Sequence, residues 1–238
     1  MLEALSSLIA LQALDSAADA ARKRINEIPA AERALDAAVV SAQAVLDSAE
    51  GTAKTNADAR RALEKDASAI DSRMAKFEDH KAAVKTNQEF QALNHEIEVA
   101  LASKSALEDQ IIALMDEADT LDKILKDAET VLAERTRDAA VEKKVLEADR
   151  GTQEAELGRL AAARVPAAAA VPAPILAKYE LLLKGRKGVA VAPMVNGLCT
   201  ACHVRLRPNV EQQVRKSDAI VACDSCQRIL YYIPPVQQ

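Results

Sequence analysis

The sequence predicts a mainly α fold: a long antiparallel two-helix coiled-coil hairpin followed by a small C-terminal module of different character. Three observations carry this. An apolar stripe of heptad period runs without a slip from Leu14 to Val84, a break near residues 82–90 divides residues 1–165 into arms of matched length, and seven of the eight Pro and all four Cys fall after position 165. Helix interiors tolerate proline and glycine poorly, and residues 1–165 contain only Pro29 and three Gly.

In the first arm, two interleaved series step by seven, one from Leu14 to Val84 and one from Ala18 to Lys81, and 17 of their 21 positions are apolar. The exceptions are Glu32, Asn56, Arg60 and Lys81. So narrow and long a stripe is a supercoil seam, not one face of a globular helix. Pro29 is expected to bend this arm without dividing it, because the phase survives across it. The second arm begins its own series at Leu93 and keeps it to Leu132, with Lys104 the one charged member. Past Leu132 the phase is expected to slip, since Val141 and Val145 fall in one frame and Leu146 in the other.

Between the arms, Thr86 followed by Glu89 forms a capping box, in which each side chain satisfies an orphan backbone donor at a helix start. This places a turn there and predicts arms of roughly 120 Å at 1.5 Å per residue. Both Phe, Phe77 and Phe90, flank the turn. They are expected to plug the end of the hairpin. Beside them His80, Asn87, Gln88, Glu89, Gln91, Asn94 and His95 make an unusual density of polar side chains, so Phe77, His80, Asn87, Gln88, Glu89, Phe90 and Gln91 are the candidate partner-binding tip.

Composition excludes several classes. With 2% aromatic residues and no Trp, the composition argues against a single thick core. No run of 18 apolar residues offers a membrane span, and Glu3 stands where a signal peptide wants Lys or Arg, so a cytoplasmic protein with no membrane role is expected. Charge is divided: residues 1–174 carry 22 basic against 32 acidic side chains, and residues 175–238 carry 9 against 4. The basic end suits an acidic partner or nucleic acid.

Arg164 to Pro174 reads as an Ala/Pro linker, extended and stiff, with residues 166–174 separating the hairpin (1–165) from the C-terminal module (175–238). Ile175 to Lys184 reads as a short helix ending at Gly185, and Val189 to Val195 and Ile229 to Ile233 as strands. The strongest signal is Cys199-x-x-Cys202 with Cys223-x-x-Cys226. Two residues between ligands let one tight turn aim both sulfurs at a common point, and two such turns close a tetrahedral sphere around one structural Zn2+. Four thiolates leave no position for a catalytic water. His203 follows a ligand directly and reads as a surface or neighbouring residue. Lys184, Arg186, Lys187, Arg205, Arg207, Arg215, Lys216 and Arg228 surround the site, and Tyr231 and Tyr232 offer a possible stacking face; these make the candidate partner or nucleic-acid surface.

The stretch Gly188 to Tyr232, with its Val-Asn-Gly-x-Cys-x-x-Cys opening and its Ile220-Val221-x-Cys223-x-x-Cys226-x-Arg228-Ile229-Leu230-Tyr231 close, resembles the bacterial C4-type zinc ribbon family with an N-terminal coiled-coil hairpin. The tip segment Lys85 to Leu93, followed by Glu96-Ile97, is similar to that family's other characteristic stretch. Gln227 departs from it, standing where the family usually places Gly. The resemblance implies a non-enzymatic adaptor or chaperone-like scaffold. It associates such proteins with flagellum biogenesis and type III secretion through the sigma-54 factor, secretion-apparatus proteins and, in some cases, flagellin messenger RNA. Two other readings stay open: an RNA-binding regulator, and a polymerase secondary-channel regulator with Glu78 and Asp79 near its tip. No nucleophile with a base, phosphate loop or carboxylate cluster points to an enzyme or to a small-molecule substrate.

Overall fold

The computed structural model describes residues 3–233; the outermost residues of the predicted segments, 1–2 and 234–238, lie outside the described residues. Two long helices, α1 (Glu3–Ala83) and α2 (Asn87–Ala169), are joined by Val84–Thr86. Then come α3 (Ala173–Gly185), β1 (Val191–Val195), β2 (Leu198–Cys199), α4 (Pro208–Lys216), β3 (Val221–Ala222) and β4 (Ile229–Tyr232). The chain forms two compact units: residues 33–142, and residues 1–32 together with 143–238.

In the 33–142 unit the helices run antiparallel, with Asn56 facing Glu117 and, further toward the turn, Asp71 facing Lys104. Every predicted seam position from Leu14 to Val84 and from Leu93 to Leu132 is buried or half-buried. Much of the seam is alanine, which lets the helices approach closely and buries little area per residue. The polar interruptions have charged or polar neighbours, although the buried Arg60 Nε makes no hydrogen bond. Asn56, buried, donates to Glu117 at 2.9 Å; Lys104 reaches Asp71 at 2.6 Å; Arg60 pairs with Glu64 at 3.3 Å; and Lys81 lies 5.2 Å from the centre of the Phe90 ring. A buried Asn at a seam position fixes register, because any slip strands its amide.

At the turn, the Glu89 amide donates to Thr86 Oγ1 at 3.3 Å, one half of the expected capping box. The other half takes a different form: the Thr86 hydroxyl donates to the Glu89 carboxylate at 2.7 Å. Phe77 is half-buried, but Phe90 is 41% exposed and does not plug the hairpin end.

Beyond Leu132 the chain differs from expectation in three places. Past Leu132 one series keeps its frame, with Ala139, Leu146, Gln153, Leu160 and Ala167 all covered at steps of seven, while the other slips by one residue: Arg135 and Glu142 are exposed and Lys143, Arg150, Leu157 and Arg164 are half-buried. Val141 and Val145, the valines that suggested the slip, stand 59% and 61% exposed and belong to neither series. Second, the segment expected to be an extended linker is helical to Ala169, with Pro166 inside α2. Ala167–Ala169 are strong helix formers, and Ala167 and Ala168 pack against a core. The remaining turn is tight, with the Ala170 amide donating to Pro166 O at 3.1 Å and Val171 buried. Third, α4 was not anticipated; Pro208 opens it and Val210 and Val214, one turn apart, are its buried face. Pro29 does not interrupt α1.

The sheet order is β2-β1-β4-β3, with β1 and β4 parallel and the outer pairs antiparallel. Strand alternation divides it between two cores. Ala192, Met194 and Leu230 join Leu206, Val210, Val214 and three of the cysteines on one face. Val191 and Ile229 face the other way, onto Leu5, Leu8 and Leu11 of α1 and Tyr179 and Leu182 of α3. The beginning of α1 is therefore one wall of the module at the end of the chain. Fully burying each of those leucines contributes roughly 1.5–3 kcal/mol.

Candidate metal centre and contact surfaces

The two Cys-x-x-Cys turns are built alike. In the first, the Cys199 amide donates to Val204 O (3.1 Å) and the His203 amide to Cys199 O (2.8 Å); in the second, the Cys223 amide donates to Arg228 O (2.9 Å) and the Gln227 amide to Cys223 O (2.9 Å). The residue after each second cysteine takes a left-handed backbone, φ 59° at His203 and 64° at Gln227. This conformation turns the chain back so that both sulfurs of a pair face inward. It also explains why glycine suits the Gln227 position. His203 is exposed, as expected.

All four Sγ atoms lie within 4.8 Å of one another, with Cys199–Cys226 at 3.9 Å and Cys202–Cys223 at 3.8 Å. Tetrahedral zinc–thiolate bonds of about 2.3 Å require sulfurs about 3.8 Å apart. The donors therefore fit one Zn2+. Burial pushes the Cys199 thiol up to about 12 and raises Cys223 as well. At Cys226 burial also opposes ionisation, but hydrogen bonds from the Arg228 backbone and side chain, together with those from Cys202 and Cys223, outweigh it and bring the thiol to about 7. A buried thiol quartet of this kind calls for a cation to hold it deprotonated. The module is a zinc ribbon with one structural metal ion.

The ribbon is tied to the helices by polar contacts that sequence reasoning missed. Gln12 acts as a surrogate strand: its Oε1 accepts from the Ala190 and Val191 amides at 2.6 and 3.1 Å, and its Nε2 donates to Gly188 O at 2.8 Å. One turn on, buried Asp15 accepts two bonds from Arg164, at 2.7 and 3.3 Å, and one from the Tyr179 hydroxyl at 2.8 Å. Burial, then the Asp15 hydrogen bond, raises the Tyr179 phenol well above its ordinary value. Nothing in the sequence marks them, because Gln12 and Asp15 follow Leu5, Leu8 and Leu11 as isolated polar positions in a mildly apolar stretch.

The predicted ribbon surface separates into committed and open cations. Arg228 donates to Val189 O at 2.7 Å and Arg186 O at 2.9 Å, so its guanidinium serves the fold. Arg215 pairs with Glu211 at 2.6 Å and lies over the Tyr232 ring, and Arg207 reaches Asp224 at 3.8 Å. Lys184, Arg186, Lys187, Arg205 and Lys216 are exposed. Tyr231 and Tyr232 are half-buried: Tyr231 packs against the core that holds Tyr179, and Tyr232 against the core that holds the cysteines. At the tip, His80, Asn87, Gln88, Glu89 and Gln91 are all exposed beside Phe90. A shallow groove there is lined by His80, Val84, Lys85, Thr86, Glu89 and Leu93. Among the described residues no helix is long and apolar enough to cross a membrane.

Comparison with known proteins agrees with this architecture. Residues 198–230 match the C4-type zinc ribbon domain family. No curated protein matches significantly. The solved structure of CT398 from Chlamydia trachomatis is similar at 27% identity, with a TM-score of 0.76 over 97% of this chain and 98% of that one. The HP0958 protein from Helicobacter pylori (18% identity, TM-score 0.59, 96% of each chain) and a protein from Mycobacterium smegmatis (16%, 0.61, 97% and 98%) share the fold. Residues 11–187 match a second family along most of the chain's length, and the chain accordingly belongs to the CT398-like coiled coil hairpin domain family.

Proposed function

We propose that this zinc-binding scaffold protein is a non-enzymatic cytoplasmic adaptor, or chaperone-like holder, that engages protein partners through its ribbon and through its hairpin tip. One observation carries the reading. The chemistry-bearing side chains of the ribbon turn inward into a closed four-thiol site, while the uncharged polar side chains around Phe90 and the cations Lys184, Arg186, Lys187, Arg205 and Lys216 face solvent. A closed site has no position for substrate or water; open polar and cationic surfaces recognise other macromolecules. The resemblance noted from the sequence makes transcription or secretion components, with the sigma-54 factor foremost, the partners to test first.

An RNA-binding reading has one observation in its favour, the exposed cations Lys184, Arg186 and Lys187 at and after the end of α3. Both ribbon tyrosines are half-buried against the cores, so RNA affinity should be mainly electrostatic and fall steeply with salt. The deciding experiment is a pull-down from native lysate with the intact chain, Cys226→Ser, and Asn87→Ala with Phe90→Ala. The adaptor reading expects a defined protein partner that either variant loses. Capture of nucleic acid alone, or full capture by both variants, overturns it.

A further inference from the structure

The sheet face that carries Val191 and Ile229 is covered unevenly along its length. Val191 and Ile229 are buried beneath Leu5, Leu8 and Leu11. The next row, Pro193 beside Tyr231, is half-buried. The row after that is open. Val195 pairs with Leu198, the bridge between Leu198 and Arg205 extends the row by one more residue, and Ile233 directly follows the last β4 residue, Tyr232, whose β1 partner Met194 precedes Val195. Residues directly opposite in adjacent strands share a face. Arg205, Leu198, Val195 and Ile233 therefore form one continuous row, whose three apolar members are 40%, 42% and 45% exposed.

Three aliphatic side chains side by side on one small sheet differ from scattered surface residues, which need no explanation. The charge around them narrows the occupant. Of the ribbon's three acids, Glu211 and Asp224 are held by Arg215 and Arg207 and Asp218 is exposed, while Glu180 of α3 lies 3.7 Å from Arg164. Arg205, at the end of the row, is exposed. Nucleic acid is held through its phosphates by cations and through its bases by stacking on rings, and neither contact uses a row of aliphatic side chains. Deepening the adaptor reading and resting on it, we infer that the Val195–Leu198–Ile233 row with Arg205 is a docking surface for a protein segment bearing aliphatic anchors and flanking acidic residues.

Photo-crosslinking tests this in the full-length zinc-loaded chain. Leu198→p-benzoylphenylalanine is irradiated in the protein's own cells, after bound zinc and melting temperature confirm the native fold; Val195→p-benzoylphenylalanine serves if that variant does not fold. The expected adduct is a peptide of another protein with net negative charge and at least two of Val, Leu and Ile. Its yield should drop roughly fivefold or more in Arg205→Glu, in line with reversing one interfacial charge, and Arg205→Lys should restore it. An adduct to RNA, to a second copy, to residues 234–238 of the same chain or to a basic segment overturns the inference, and so does no adduct at all. If partners are still captured by the intact chain and lost by Cys226→Ser while position 198 yields nothing, this surface is wrong and the adaptor reading stands.

Discussion

In the unit that contains the ribbon, leucines from the start of α1, a buried tyrosine, a buried carboxylate and four thiols converge on one sheet. Between Arg33 and Glu142 there is instead a repeated seam of Ala, Leu and Ile, interrupted by Asn56 and by surface ion pairs. The first arrangement is cooperative, because each part closes a core that the others need. The second is a series of nearly independent turns, in which any one contact is small and its loss is local. Damage to the ribbon should therefore spread into the start of α1 and into α3, while damage to the arms should stay where it is made.

Removing the metal is the strongest way to break this contrast. Structural zinc contributes on the order of 10 kcal/mol or more to small thiolate modules, and Cys199→Ser or Cys226→Ser should bring bound zinc from one equivalent to none. Hydrogen exchange is then expected to speed up from Ala190 to Tyr232 and also at Leu5–Asp15, with protection retained around Asn56 and Leu121. A ribbon that keeps its protection without zinc would refute the cooperative picture. Exchange rising equally along both arms would refute the division into two regimes.

The core leucines come next. Leu8→Ala removes a fully buried side chain held between α3 and the sheet and should cost about 2–5 kcal/mol. The same change at Leu46, in the alanine-rich seam, should fall at the bottom of that range, because two helices alone enclose it less completely. Thermal melts of both variants compare the two units directly, and equal losses would count against the distinction.

How much of this was legible follows the same divide. The seam could be read position by position because a heptad is a local pattern, and the metal site because its ligands lie in two short motifs. The docking of Leu5, Leu8 and Leu11 on Ile229 was not, since a contact across more than 200 positions leaves no periodic trace. Gln12 and Asp15 read as ordinary polar interruptions; only with β1 and Tyr179 brought against α1 do they become a strand surrogate and a buried acceptor. The Ala/Pro stretch misled because Pro166 reads as a break, whereas the alanines after it continue the helix and pack.

The buried acceptor gives a smaller, pH-dependent test. In the folded chain Tyr179 is held neutral above its ordinary value by burial and by Asp15. In the unfolded chain it ionises near pH 10. Unfolding then releases a proton, so this group's stabilisation is complete below about pH 10 and declines as pH rises toward the folded value. Tyr179→Phe should cost about 1–2 kcal/mol at pH 7, leaving one acceptor position of Asp15 unfilled, and should flatten the alkaline decline. An alkaline limb identical to that of the parent protein would show that Tyr179 is not its source.

The smallest effect concerns the second knuckle, where the zinc-binding turn uses a residue unsuited to its backbone. Gln227 sits at φ 64°, a conformation that costs a side-chain-bearing residue roughly 1–2 kcal/mol, offset in part by its amide, which donates to Asp224 O at 3.3 Å. Gln227→Gly removes the strain but adds freedom to the unfolded chain, worth about 0.4–1 kcal/mol in the other direction. The balance should be a gain of about 0.5–1 kcal/mol, read as slower zinc transfer to a chelator and a slightly higher melting temperature of the ribbon unit, with the exchange of the 33–142 unit unchanged. Because His203 occupies the matching position in the first knuckle at φ 59°, His203→Gly should give a similar gain. Faster zinc loss in both variants would mean that these side chains hold the turns by contacts worth more than the strain they carry.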